Sequence, residues 1–156
     1  MSATNRGEER EDHDDYPTPD WLSESVMPYV LPDVWRGKNP FQILEPGCGD
    51  GAIVQVIKRV IAPTVRFQIA AVDIRDTGFG VQADFLEMEP DPSYDLIITN
   101  PPYSLAQEYV NHGKKFRRTS KSKLVLLLRI NFFGAQKRAE WWHCLLYTSP
   151  SPRDRS

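Results

Sequence analysis

Short apolar runs alternate along this chain with stretches whose apolar positions recur three to four residues apart, a pattern of strands interleaved with amphipathic helices. Strands are expected at Phe41–Glu45, Phe67–Asp73, a short Gly80–Ala83, Tyr94–Thr99 and Lys123–Ile130. Helices are expected over Ala52–Ile61 and Leu105–Phe116, with a last helical stretch over Ala135–His143. Ahead of the first strand, Thr18 is positioned to cap a helix with Pro19 as its first residue, running to about Val30 and ending before Pro32. Such alternation builds an α/β fold, a mostly parallel, doubly wound sheet with helices on both faces. Ligands of such a sheet lie across the carboxyl ends of its strands.

The turns carry more specific information than the elements. The first strand runs into Pro46-Gly47-Cys48-Gly49-Asp50-Gly51 and then directly into a helix. Glycines there allow positive φ and close backbone approach to a ligand, and the helix start offers unpaired N–H groups. Gly47, Gly49 and Ala52 also fit G-x-G-x-x-A, so the loop by itself leaves a dinucleotide open. The second strand ends at Asp73, followed by Ile74; a carboxylate there can accept both ribose hydroxyls of an adenosine, or simply end the strand. Farther on, Asp84 can accept an adenine amino group with Phe85 or Ile74 against the ring, although Phe85 taken alone reads as core.

The sharpest signal is Tyr94-Asp95-Leu96-Ile97-Ile98-Thr99-Asn100-Pro101-Pro102-Tyr103. Consecutive prolines donate no ladder hydrogen bonds and hold the backbone extended, so the strand stops at a rigid end. The Asn100 side-chain oxygen, the Pro101 carbonyl and the Tyr103 ring are then gathered at one spot. That set suits a planar amino group on an sp2 carbon. Two acceptors on its N–H groups redirect the lone pair towards an electrophile, while the ring stacks on the flat face of an extruded base. An ordinary turn is the alternative for the motif in isolation, because Asn-Pro favours turn initiation.

Taken in order, Leu44-Glu45-Pro46-Gly47-Cys48-Gly49-Asp50-Gly51, Asp73, Asp84-Phe85 and Asn100-Pro101-Pro102-Tyr103 resemble a class I S-adenosylmethionine-dependent methyltransferase of the amino-methylating group. The likeness is greatest to compact, phage-type N6-adenine DNA methyltransferases. Upstream, Tyr16-Pro17-Thr18-Pro19 resembles that family's Tyr-x-Thr-Pro segment, which meets the methionine end of the cofactor. The resemblance covers Asp15 to about His143 and implies a Rossmann-like fold with S-adenosyl-L-methionine as cofactor. It assigns Tyr16, Thr18, Glu45, Gly47, Cys48, Gly49 and Gly51 to the methionine portion, Asp73 to the ribose, and Asp84, Phe85 and Ile74 to the adenine. Asn100, Pro101, Pro102 and Tyr103 would hold the acceptor, with Asn100 also bordering the cofactor. The implied reaction is methyl transfer to N6 of adenine in DNA; another planar amine, in an RNA base or a protein glutamine, and an inactive cofactor-binding fragment are the alternatives.

Charge and composition refine this picture. The first fifteen residues are acidic and lack an apolar run, so a disordered tail is expected over 1–15. Lys114, Lys115, Arg117, Arg118, Lys121 and Lys123 form a basic segment expected near the acceptor site, where it would hold a DNA backbone; a solvated loop is the alternative. Cys48 and Cys144 supply neither a disulfide framework nor zinc spacing, and His13, His112 and His143 are scattered, so no metal is expected. Cys48 is read as a small residue in a crowded loop, with a nucleophile as the alternative. The longest apolar run, Leu124–Leu128, is too short to span a bilayer and no signal peptide opens the chain, so a cytoplasmic location in a bacterial or phage-infected cell is expected. From Cys144 to Asp154 the sequence resembles a translated sequencing adapter. The expected organisation is therefore a methyltransferase domain over 16–143, incomplete at its carboxyl end and lacking the last strands, followed by a non-native unstructured tail over 144–156.

Overall fold

The computed structural model describes residues 17–128. The expectations for Tyr16, the acidic tail, the end of the fifth strand, the helical stretch after it and the residues from Cys144 onward lie outside the described residues. Within them, the order is α1 (Asp20–Val30), β1 (Phe41–Pro46), α2 (Ala52–Val60), β2 (Phe67–Asp73), β3 (Val81–Gln82), β4 (Leu96–Thr99), α3 (Ala106–Gly113) and β5 (Lys123–Leu126).

These strands form one sheet in the order β3-β2-β1-β4-β5, and every pairing is parallel. Parallel strands covered on both faces read as continuous apolar runs. Accordingly β4 is buried throughout and β1 nearly so. Alternation sends neighbours to opposite faces. Ile43, Leu96 and Ile98 join Met27, Val30, Ile53, Val56 and Ile57 beneath α1 and α2. On the other face, Leu44, Val72 and Ile97 pack with Phe85, Tyr109 and Phe116 beneath α3.

The chain builds outward from β1 through β2 to β3, then returns to place β4 on the other side of β1. A reversal of this kind opens a crevice at the carboxyl ends of the two strands beside it. Glu45 and the glycine loop close β1, and Asn100 follows β4, so both signals converge on that crevice.

Four local expectations change. The α1 helix starts at Asp20 behind Pro19 and has no side-chain cap bond, so Thr18 does not cap it. The Tyr94–Thr99 strand shortens to Leu96–Thr99 because Tyr94 makes only an isolated bridge with Arg117. The Gly80–Ala83 strand contracts to Val81–Gln82, which pairs with the last residues of β2. The Leu105–Phe116 helix divides into a 3-10 turn at Tyr103–Leu105, α3, and a second 3-10 turn at Lys114–Phe116.

Candidate active site

The end of β1 is tied to the end of β4 through the Thr99 side chain and to the end of β2 through the backbone. Thr99 is buried and its Oγ1 donates to the carbonyl of Pro46, while Gly47 and Cys48 donate their N–H groups to the Val72 carbonyl at 2.7 and 2.9 Å. Beyond this clasp lies a cavity of about 470 Å³, lined by Pro17, Thr18, Glu45, Gly47, Cys48, Gly49, Asp50, Ala52, Ile53, Arg75, Asp76, Thr77 and Asn100. Thr18, Glu45, the glycine loop and Asn100, far apart in sequence, thus share one space.

Left-handed backbone makes the glycine loop possible. Gly47, Gly49 and Gly51 have φ of 72°, 52° and 87°, where a side chain is strained. A Cβ on Gly51 would also fall 2.3 Å from the Phe79 ring, so that ring lies directly over the start of α2. A Cβ on Gly49 would meet nothing within 4 Å, which leaves the middle of the loop open.

Glu45 is only 1% exposed, and its Oε2 is buried without a hydrogen-bond partner. Burial is the main force raising its pKa, to about 8; a hydrogen bond from the Val54 backbone opposes the rise, and Asp50 and Asp73 add to it. A buried acceptor of this kind is unfavourable until a donor or cation reaches it. Cys48 is buried as well, and its thiol is pushed up to about 11 by burial and by Glu45 and Asp73. A thiol so hard to ionise is a poor nucleophile, which favours the expectation of Cys48 as a small residue in a crowded loop. A Cβ on Gly80 would come within 2.6 Å of its Sγ, which shows how crowded that position is.

Asp73 sits at the end of β2 as expected, with its carboxylate turned to the loop. Its Oδ2 accepts from the Gly49 N–H at 2.8 Å, and its Oδ1 accepts from the Arg75 N–H at 2.9 Å and from Arg75 Nε at 3.2 Å. Asp84 caps the short turn at Phe85–Glu87 by accepting from the Leu86 N–H at 2.9 Å. The Phe85 ring corrects its expected place against the adenine: it is 2% exposed, packed among Tyr109, His112 and Phe116 in the core beneath α3. Ile74 is exposed.

Asn100 donates from Nδ2 to Thr18 Oγ1 at 3.1 Å. Pro101 is buried, and Pro102 and Tyr103 are half-buried where the chain turns towards α3. These three follow the cavity's rim residue Asn100 without themselves lining the cavity.

The basic segment does not stand beside this site. In a parallel sheet, the helix after β4 carries the chain back to the amino ends of the strands. Arg117 bridges Tyr94, and Lys123 pairs with Leu96 at the start of β4. Six residues of extended chain separate Tyr94 from Asn100, roughly 20 Å along the strand. Moreover, Arg118 donates to the Ser93 carbonyl and pairs with Asp95 at 3.5 Å, while Lys123 Nζ donates to the Tyr29 carbonyl at 2.6 Å. Among the described residues, no group of His, Cys, Asp and Glu is arranged to hold a metal, and no helix is long and apolar enough to cross a membrane.

No protein-family model matches this chain. Over 72 residues it is 36% identical to the Type II methyltransferase M.TthHB8I of Thermus thermophilus, a match covering 43% of this chain and 17% of that protein. Among solved structures, it resembles a candidate class I S-adenosylmethionine-dependent methyltransferase from Listeria monocytogenes with a TM-score of 0.64 at 16% identity, covering 83% of this chain and 51% of the other. The fold is that of the class I S-adenosylmethionine-dependent methyltransferases. Magnesium protoporphyrin IX methyltransferase from Synechocystis PCC 6803, solved with S-adenosylmethionine bound, shares this methyltransferase fold with a TM-score of 0.51 at 14% identity, over 72% of this chain and 60% of its own. In all three comparisons the chain spans less than two thirds of its relative's length.

The methyltransferase fold also recruits residues that the motifs did not single out. Arg75, Asp76 and Thr77 wall the cavity because the loop after β2 leaves from a carboxyl end, as the glycine loop does. The position of that loop in the topology was the available signal. Nothing local to the sequence pointed to Phe79 covering Gly51.

Proposed function

We propose that this chain carries the methyl-transfer site of an S-adenosylmethionine-dependent N-methyltransferase acting on the N6 amine of adenine in DNA. The supporting observation is the single cavity that joins Glu45 and the glycine loop to Thr18 and Asn100. The buried, unpartnered Glu45 Oε2 fits the ammonium of the cofactor's methionine portion, which would supply its missing partner. Gly47, Gly49 and the N–H groups at the start of α2 would border the same portion. Asp73 would accept from the ribose, and Asp84 and Ile74 would border the adenine.

When bound, the cofactor supplies a methyl group already activated on a sulfonium. The protein's task is to orient the acceptor nitrogen. Asn100 Oδ1 and the Pro101 carbonyl each accept one N–H, and Tyr103 stacks on the base. Orientation of two reactants can recover roughly 7 to 11 kcal/mol of a bimolecular barrier, which makes a site without a strong base sufficient. Similarity to a Type II methyltransferase, together with the Asn-Pro-Pro-Tyr likeness, favours DNA as the acceptor.

A panel of unmethylated DNA, RNA and glutamine-bearing protein, supplied with cofactor labelled on its methyl group, tests the assignment. Label recovered as N6-methyladenine from DNA is the expected result. Label confined to RNA or protein would reassign the acceptor, and cofactor binding without transfer to any acceptor would contradict the proposed activity.

A further inference from the structure

Resting on the proposed cofactor site, we infer that binding of the cofactor expels one proton from Glu45, so that this carboxyl group exchanges its proton for the ligand's ammonium. Glu45 is buried at the end of β1, lines the cavity, and keeps Oε2 without a hydrogen-bond partner. A carboxylate held there alone would be both desolvated and unpartnered, which favours the neutral acid.

The groups around Glu45 push the same way. Asp50 in the glycine loop and Asp73 at the end of β2 oppose its ionisation, while the backbone N–H of Val54 in α2 favours it. Cys48 beside it stays a neutral thiol. Among the described residues that line the cavity, Arg75 is the one cation, and its Nε is engaged with Asp73 at 3.2 Å; Asp76 adds a further acid to the same wall. With this balance the empty site holds its carboxyl proton up to about pH 8. An arriving ammonium reverses it. The acid and the ammonium become a carboxylate–ammonium pair, and one proton passes to water. Affinity therefore rises with pH, until the ligand's own α-ammonium begins to titrate at about 8.

Calorimetric titration with S-adenosylmethionine from pH 6 to 7.5 tests the exchange without any acceptor. The wild-type Kd should tighten at least about tenfold over that range, and the heat at pH 6.5 should vary with the buffer's ionisation enthalpy as release of about one proton requires. Glu45→Gln keeps the size and removes the titration. Its Kd should be weaker at pH 7.5 and constant to within about twofold across the range.

A second readout is spectroscopic and needs no variant. With 13C-labelled glutamate carboxyls, one carbon of the ligand-free protein should titrate near pH 8, apart from the exposed glutamates, and move to its carboxylate position at pH 6.5 when cofactor saturates the site. A wild-type Kd that is flat with pH, or a Glu45 carbon already in carboxylate form before the ligand arrives, would overturn the inference and leave the cofactor site standing. Absence of cofactor binding throughout the range would overturn both this inference and the proposed function.

Discussion

Glu45 concentrates the electrostatics of the site in one carboxyl group. It lies at the end of a buried strand, where desolvation disfavours its charged form and raises its pKa from 4.5 to about 8. Between those values the folded, ligand-free protein binds a proton that the unfolded chain has released. Its contribution therefore makes stability fall as pH rises from about 4.5 to 8, with a slope of at most about 1.4 kcal/mol per unit. Urea unfolding of the ligand-free protein between pH 5 and 8 should show this decline in the wild type, and Glu45→Gln should flatten it. A wild-type slope unchanged by Glu45→Gln would show that this carboxyl group is not the proton binder. The Glu45 candidate role was legible from sequence because a short motif fixed its place beside the glycines. The partner of Thr18 was not, because a helix-start pattern accounts for the same residue and the contact to Asn100 crosses 82 positions.

Among the elements, the two strands that lead into the cavity loops kept the bounds expected of them to within a residue, while the Tyr94–Thr99 and Gly80–Ala83 strands contracted. The Phe67–Asp73 strand was expected with the bounds it has, because Phe67 and the apolar run Ile69–Val72 lead to a charged end. Helix ends were read less well. The pattern after Asn-Pro-Pro-Tyr fits a helix to Phe116, but a 3-10 turn on each side takes up the residues that connect the prolines and the basic segment to α3. Phe85 illustrates the limit at this scale: its position after Asp84 suggested a ligand ring, whereas three aromatic partners from α3 and the turn after it hold it in the core. Those partners follow it by more than twenty residues, so no local pattern could decide between the two roles.

The whole molecule is organised by the direction of its strands. Parallel pairing collects the βα loops at one edge and the αβ loops at the other, so Asn100 and the basic segment occupy opposite ends despite their closeness in sequence. Lys115 and Lys121, both exposed, lie at the end away from the site. Reversing them to Glu should leave the KM for a short DNA duplex within about twofold of wild type, since charges separated by more than a Debye length of about 8 Å are largely screened. A large rise in KM would return the basic segment to the acceptor's path.

In the proposed function, Asn100 serves the acceptor from the cavity that would bind the cofactor. Methyl transfer to unmethylated DNA and cofactor affinity, measured together on the wild type and Asn100→Ala, test that claim most directly. The expected result is label on adenine N6 that falls at least a hundredfold in Asn100→Ala, the scale of losing an orienting group, with cofactor Kd nearly unchanged. Undiminished transfer by Asn100→Ala would contradict it.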